Sequence, residues 1–266
     1  MQAGAALVTG GAKRLGRAIA RDLAESGWSV AIHYNSSQAE AEAACDAFRA
    51  AGAPKAAALQ ADLTAEAEMA PLIPGAAEAL GQPLTLLVNN ASIFERDDVQ
   101  SATRESWDRH IESNLRAPFA LTQAFAAQCP PTLTHDDGLG PEPLASGLVI
   151  NMIDQRVRKL TPHFMTYTVA KMGLWALTRT LAQALAPQIR VNGIGPGPTM
   201  ANERQSDEHF LKQRAETILA RGADAGDIVQ AVRYLIAARA VTGQMIAVDG
   251  GQHLGWKTPD VIGIHE

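Results

Sequence analysis

Asp154, Tyr167 and Lys171 are the residues whose types and spacing could do chemistry together, in the stretch "NMIDQRVRKLTPHFMTYTVAK" from Asn151 to Lys171. Tyr167 and Lys171 are four apart, so on a helix they share one face. An ammonium beside a phenol stabilises the phenolate, which predicts a lowered Tyr167 pKa and an acid/base group for a carbonyl or imine. Asp154 stands thirteen residues before the tyrosine, where a carboxylate can accept hydrogen bonds or relay a proton. A Tyr and a Lys four apart also occur often by chance, and an Asp after a strand is often the cap of the next turn.

A second group of residues could hold a phosphate. "TGGAKRLG", Thr9 to Gly16, follows an apolar run and opens a helical pattern. Glycines such as Gly10 and Gly16 let a backbone approach a pyrophosphate, and a helix N-terminus offers unpaired N–H groups with a partial positive charge. Glycine also serves turn geometry alone. The second apolar run ends in "IHYNSSQAEAEA" with no acidic residue where an NAD enzyme carries one for the ribose 2′-hydroxyl. Lys13, Arg14, His33, Asn35, Ser36 and Ser37 can instead donate to a 2′-phosphate, with Leu15 and Tyr34 beside them, which favours NADPH over NADH. One of Ser36 and Ser37 also suits a helix N-cap.

Residues so far apart must be brought together by a regular framework. Short runs rich in Val, Ile and Leu, among them "AALV", "SVAIH", "LTLLV", "GLVINM" and "IRVNGI", alternate with segments carrying apolar residues at helical steps, as in Leu15, Ile19 and Leu23. That alternation predicts a single α/β domain over residues 1–266, a doubly wound, seven-stranded parallel sheet with helices on both faces. Ligands in such sheets bind beyond the carboxyl ends of the strands. Two segments break the rhythm: Cys129 to Ser146 reads as a surface loop and Pro198 to Gln213 as a lid over the site.

The chain has 266 residues, a formal net charge of −5 and no basic run, which argues against nucleic-acid binding. No apolar run reaches the length of a membrane helix, and the N-terminus lacks the charged start of a signal peptide, so a cytoplasmic protein is expected. Cys45 and Cys129 have no Cys-x-x-Cys partner and the histidines no ligating spacing, so reduced thiols and no metal are expected.

"TGGAKRLG", "NNAS", Asn114 in "ESNLRAPF", "YTVAK" and "GPGPT" occur in order, each at the end of a strand or on a following helix. From Ala5 to about Gly251 the chain thereby resembles the short-chain dehydrogenase/reductase family. It departs from the usual pattern twice, with Arg14 where the middle glycine of Thr-Gly-x-x-x-Gly-x-Gly stands and Asp154 where the catalytic serine stands. Both departures, with "IHY", "NNASIF" and "NMID", resemble the pteridine reductase branch.

The resemblance implies that Asp154, Tyr167 and Lys171 handle protons, with Asn114 holding Lys171 through a water. It implies that Phe94 stacks a pterin against the nicotinamide, while Arg14 and Ser92 touch cofactor phosphate and substrate. Asn90 and Ala91 would line the cofactor, and Thr199 would bind near the nicotinamide amide, with Pro196 and Gly197 shaping that edge. Asp62, Leu63 and Asn89 would sit at the adenosine end, and the assembly would be a homotetramer. Apolar residues on more than one face of two long segments (Phe119, Leu121, Phe125; Met172, Leu174, Leu177) fit burial beyond a monomer.

A ketone oxygen suits a neutral hydroxyl donor, whereas a pterin presents ring nitrogens, and reducing C=N puts a proton on nitrogen. The expected activity is NADPH-dependent reduction of a pterin, a dihydropteridine or dihydrofolate. The alternatives are a reductase of another ketone, sugar or quinone, and an NADPH-binding regulatory protein without turnover. Arg156 and Arg158 either coat a solvated face or favour an anionic substrate tail such as the glutamate of a folate. Phe94 could also be a core aromatic.

Overall fold

The computed structural model describes residues 1–136, 138, 140–200, 206–258 and 261–262. The elements run β1 (Ala5–Val8), α1 (Arg14–Glu25), β2 (Ser29–Tyr34), α2 (Gln38–Ala50), β3 (Ala56–Gln60), α3 (Glu66–Met69), α4 (Leu72–Leu80) and β4 (Leu86–Asn89). There follow α5 (Arg104–Ile111), α6 (Ala117–Gln128), β5 (Leu133–Asp136), β6 (Pro141–Leu144), β7 (Gly147–Met152) and α7 (Met165–Leu185). The chain continues through β8 (Ile189–Pro196), α8 (Asp207–Ala215), α9 (Ala225–Ala237) and β9 (Met245–Val248). A π-helical turn, Glu112–Arg116, joins α5 to α6, and 3-10 turns follow β7 and β9.

Seven strands form one sheet in the order β3-β2-β1-β4-β7-β8-β9, and neighbouring strands run parallel throughout it among the described residues. Strands buried on both faces explain the near-continuous apolar runs. Alternate residues of the same strand serve opposite faces. Ala6, Val8, Val30, Ile32, Leu86, Val88, Leu148 and Ile150 pack with α1, α2 and α9, whereas Leu7, Ala31, Leu87, Val149 and Val191 pack with α4, α6 and α7. Phe48 anchors the first layer and Phe125 the second, both fully buried. Burying each such ring stabilises the fold by about 1.5–3 kcal/mol.

The order reverses between β1 and β4, so the crevice opens at the carboxyl ends of these central strands. The turn after β1, the "NNAS" segment after β4, Asp154 after β7 and "GPGPT" at the end of β8 therefore converge from distant parts of the chain.

Cys129 to Ser146 links α6 to β7, and its strands lie mostly exposed at the surface. It contains an antiparallel hairpin in which Leu133 pairs with Leu144 and Asp136 with Pro141. Asp136 Oδ1 accepts from the N–H groups of Gly138 and Gly140, and both glycines take positive φ, the backbone that a tight hairpin turn requires. "DDGLG" was the available signal. Within the expected lid, Ser206 caps α8 by accepting from the His209 N–H at 3.3 Å, while residues 201–205 lie outside the described residues.

Several apolar residues credited to an assembly face are core instead: Leu121, Phe125 and Leu174 are buried within the chain. Met172 remains exposed, as do Val169 on the same helix and Trp107 on α5. Among the described residues no helix is long and apolar enough to cross a membrane, and no three His, Cys, Asp or Glu side chains cluster to hold a metal.

Candidate active site

A cavity of about 600 Å³ runs along the carboxyl ends of the strands. At one end it is lined by Gly10, Lys13, Arg14, Leu15, Gly16, His33, Asn35, Asp62 and Leu63, and at the other by Ser92, Phe94, Asp154 and Tyr167. Asn90, Ala91, Pro196, Gly197 and Thr199 also line it. Tyr34, Ser36, Ser37, Asn114 and Lys171 are not in its wall.

The glycine turn is shaped from within. Gly10 takes φ +62°, and a Cβ on Gly16 would stand 2.2 Å from the Gly10 carbonyl oxygen, so helix α1 can approach the turn this closely only with glycine there. Arg14 takes φ +52°, left-handed backbone that favours the glycine expected at this position from the resemblance. Its guanidinium donates to the Met200 carbonyl at 3.0 Å, bridging the turn to the segment after β8. Lys13, at the N-cap of α1, makes no capping bond, so its side chain does not close off the helix N-terminus.

His33 does not serve as a cationic phosphate donor. Its Nδ1 accepts from the Gly10 N–H at 3.2 Å, which leaves Nε2 protonated and donating to the Ala61 carbonyl at 2.9 Å. Burial lowers its pKa, favouring the neutral ring. It braces the glycine turn against β3. Lys13 is paired with Glu40 of α2 at 2.7 Å, both about half exposed. Ser37 occupies the N-cap position of α2 but its side chain makes no cap bond. Tyr34 packs against the core. Asp62 turns back on its own loop and accepts from the Thr64 N–H and hydroxyl, both at 2.8 Å, bonds that hold its pKa down.

Asn89 departs from the expected adenosine position. It is buried between β4 and β7, donating to Asn151 Oδ1 at 2.8 Å, while Asn151 donates to Thr178 at 2.9 Å. Asn90, one residue on, faces the other way and donates to the Thr9 carbonyl at 2.8 Å. Period-two alternation separates the neighbours.

At the reacting end, Asp154 does two things at once. Its Oδ1 accepts from the Arg156 N–H at 2.7 Å, capping the turn Gln155–Val157, and its Oδ2 accepts from the Tyr167 hydroxyl at 2.9 Å. Burial raises the Asp154 pKa, opposed by these two donors and by the charges of Arg156 and Lys171. Tyr167 is pushed well above its usual value, first by burial and then by the Asp154 charge and hydrogen bond. This overturns the expected lowering by Lys171. The carboxylate is at hydrogen-bond distance, while Lys171 Nζ lies 5.7 Å from the phenol ring centroid and donates to the Met152 carbonyl at 2.8 Å. Burial lowers the Lys171 pKa to about 8, with Asp154 pulling it back up.

Asn114 lies within the π-helical turn, and its side chain is spent on Ile93: Oδ1 accepts from the Ile93 N–H at 2.9 Å and Nδ2 donates to the Ile93 carbonyl at 2.8 Å. It thus fixes the strand extension that carries Ser92 and Phe94. Phe94 is exposed rather than core, stacked parallel on Phe164 with centroids 4.3 Å apart and edge-on to Tyr167 at 4.8 Å.

A buried trio not foreseen from sequence holds the first turn of α7. His110 Nε2 accepts from the Glu95 N–H at 3.2 Å, so Nδ1 donates to Thr166 Oγ1 at 2.7 Å, and the Thr166 hydroxyl donates to Asp97. Asp97 also accepts the Phe164 N–H through its backbone carbonyl at 2.8 Å. Isolated His, Thr and Asp residues carry no local signal of such a contact.

The family model described as enoyl-(acyl carrier protein) reductase matches residues 10–253. The chain belongs to the short-chain dehydrogenase/reductase family. Within that family, the 3-oxoacyl-[acyl-carrier-protein] reductase FabG of Staphylococcus aureus is 31% identical, over 94% of this chain and 98% of its own length. The crystal structure of FolM alternative dihydrofolate reductase 1 from Brucella suis in complex with NADP superposes with a TM-score of 0.87 at 46% identity, covering 96% of this chain and 97% of that one. Its counterpart from Brucella canis, complexed with NADP, gives 0.85 at 43%, covering 98% of each chain.

Proposed function

We propose that this short-chain reductase uses NADPH to reduce a C=N bond of a pterin, a dihydropteridine or dihydrofolate. The observation that carries the reading is the Tyr167 hydroxyl donating to Asp154 at 2.9 Å, a carboxylate where a ketone reductase of the family places serine. The likeness to two dihydrofolate reductases supports it.

The cofactor end fits a dinucleotide phosphate. Gly16 leaves room for close approach, the α1 N-terminus lacks a side-chain cap, and Lys13, Arg14 and Asn35 surround the end of β2 without a carboxylate on that strand. The Brucella neighbours are complexed with NADP. When bound, the nicotinamide supplies hydride; Pro196, Gly197 and Thr199 would shape its edge.

The chain's own residues then manage the proton. Asp154, with its raised pKa, can hold a proton and pass it to a ring nitrogen, and Tyr167 can replace it through the hydrogen bond already formed, in a concerted relay that restores the Tyr167 proton from water, so that no free phenolate is left. An ionised Asp154 can equally accept from the amino-pyrimidine edge of a pterin. Lys171 keeps a positive charge beneath the pair, anchored on the Met152 carbonyl. The exposed Trp107, Val169 and Met172 support assembly with further copies, and the family resemblance makes that assembly a tetramer.

Oxidation of NADPH by the purified protein against dihydropterins, dihydrofolate, quinones and simple ketones, with NADH as control, tests the reading. Turnover of pterins is the expected result. The likeness to a 3-oxoacyl reductase supports the second reading, a ketone reductase, and turnover confined to ketones would establish it. Hydride transfer to nothing on the panel, with NADPH bound, would leave a binding protein.

A further inference from the structure

The structure separates the two arginines that follow Asp154. Arg158 donates to the Met245 carbonyl at 3.1 Å, tying its turn to β9. Arg156 lines the cavity. Its Nη1 donates to Thr161 Oγ1 at 3.1 Å, and its Cζ lies 4.6 Å from the Phe164 ring centroid and 6.0 Å from that of Phe94. Among the described residues no carboxylate lies within ion-pairing distance of the Arg156 side chain, whereas Lys13 at the opposite end is paired with Glu40. A guanidinium has five donors, and here one neutral hydroxyl is its hydrogen-bond partner while aromatic contact holds its position.

The charges at this end are sorted along a short path. Asp154, Phe94 and Arg156 all line this end of the cavity and bring to it a carboxyl, an aromatic ring and a guanidinium whose fork of donors matches a carboxylate. The backbone N–H of Arg156 already donates to Asp154, so the turn that places the acid also sets where the arginine leaves the main chain. A ligand complementary to all three carries hydrogen-bond donors on a heterocycle, a flat arene and an anion.

We propose that Arg156 is the specificity residue for a carboxylate-bearing tail, so that the enzyme selects a pterin extended by an aryl-glutamate, as in dihydrofolate, over pterins with neutral side chains. The inference rests on the pterin reading of the same site. A charge-assisted, forked bond to a carboxylate discriminates by about tenfold or more.

The test compares kcat/KM for 7,8-dihydrofolate and for 7,8-dihydrobiopterin, which shares the ring and has a neutral tail, in the wild type, Arg156→Met and Arg156→Lys. The ratio of the two is expected to fall about tenfold in Arg156→Met and to recover in part in Arg156→Lys. A ratio unchanged in Arg156→Met, with both substrates affected alike or not at all, overturns the proposal and leaves Arg156 acting through the charge of Asp154. Calorimetric titration of the NADP⁺ complex with p-aminobenzoyl-glutamate and with its dimethyl ester separates the tail from the pterin. Tighter binding of the acid, lost in Arg156→Met, supports the proposal; equal binding of acid and ester by the wild type overturns it. A wild type that reduces neither dihydropterin but passes this titration loses the pterin reading and keeps the anion subsite.

Discussion

The Tyr167 hydroxyl donates its hydrogen bond to Asp154 Oδ2 rather than to open solvent, at 2.9 Å in a buried setting. Two groups that each resist ionisation there, the acid because its charge is desolvated and the phenol because it is buried and faces the acid's charge, share the protons of one short path. Such a pair titrates as a unit.

Replacing Tyr167 by Phe removes the group that replenishes Asp154 and leaves the ring packing on Phe94 and His110 intact. Turnover should fall by about 10²- to 10⁴-fold, the usual contribution of a positioned acid or base. The NADPH affinity, measured by fluorescence titration, should stay nearly unchanged. Retention of most activity would remove Tyr167 from the mechanism.

Asp154→Asn tests the cost of the buried acid. Its pKa is raised on folding, so the native state is penalised above that raised value, and the penalty fades as pH falls through it toward the usual 3.8. Thermal unfolding should therefore show the variant gaining on the wild type at pH 8 and losing that advantage at low pH. Asp154→Ser should lower pterin reduction without creating ketone reduction; full pterin activity in that variant would make the carboxylate dispensable.

Lys171 predicts opposite trends for activity and stability. Its folded pKa is about 8 against the usual 10.5, so between these values the unfolded chain binds more protons and this residue's contribution to stability rises with pH. The ammonium is lost over the same range. The kcat/KM for NADPH should descend above about pH 8, while the gap in unfolding temperature between the wild type and Lys171→Met closes. A profile flat to pH 10 would show that the charge is not required.

Glu40 competes with any anion for Lys13, since the two are paired at 2.7 Å on the cofactor side of the cavity. Glu40→Gln should tighten NADPH binding by about two- to fivefold at low salt, the range of exposed ion pairs, with little effect on NADH. The gain should shrink at roughly 0.5 M salt as screening grows. Equal gains for both cofactors would show that Lys13 does not read the 2′-phosphate.

The alternation of apolar runs and helical steps determined the parallel sheet, because each strand buried on both faces must read as a short continuous run and each crossover helix as a periodic one. The order of "TGGAKRLG", "NNAS", "YTVAK" and "GPGPT" likewise located the cavity at the strand ends, and Gly10, Arg14, Asp154 and Tyr167 line it. Tertiary structure decided how the side chains are used, because the deciding partners lie far away along the chain. Burial lowers the His33 pKa while Gly10 and Ala61 take both its ring nitrogens, and Lys13 meets Glu40 only when α1 and α2 pack together. Asn114 reaches back to Ile93, and Asn89 and Asn90 part company because a strand turns successive residues to opposite sides. The direction of the Tyr167 pKa followed the same rule: the lysine four residues away was visible in the sequence, but the burial of the phenol, and after it the charge and hydrogen bond of Asp154, exist only once the chain has folded, and they raise the value.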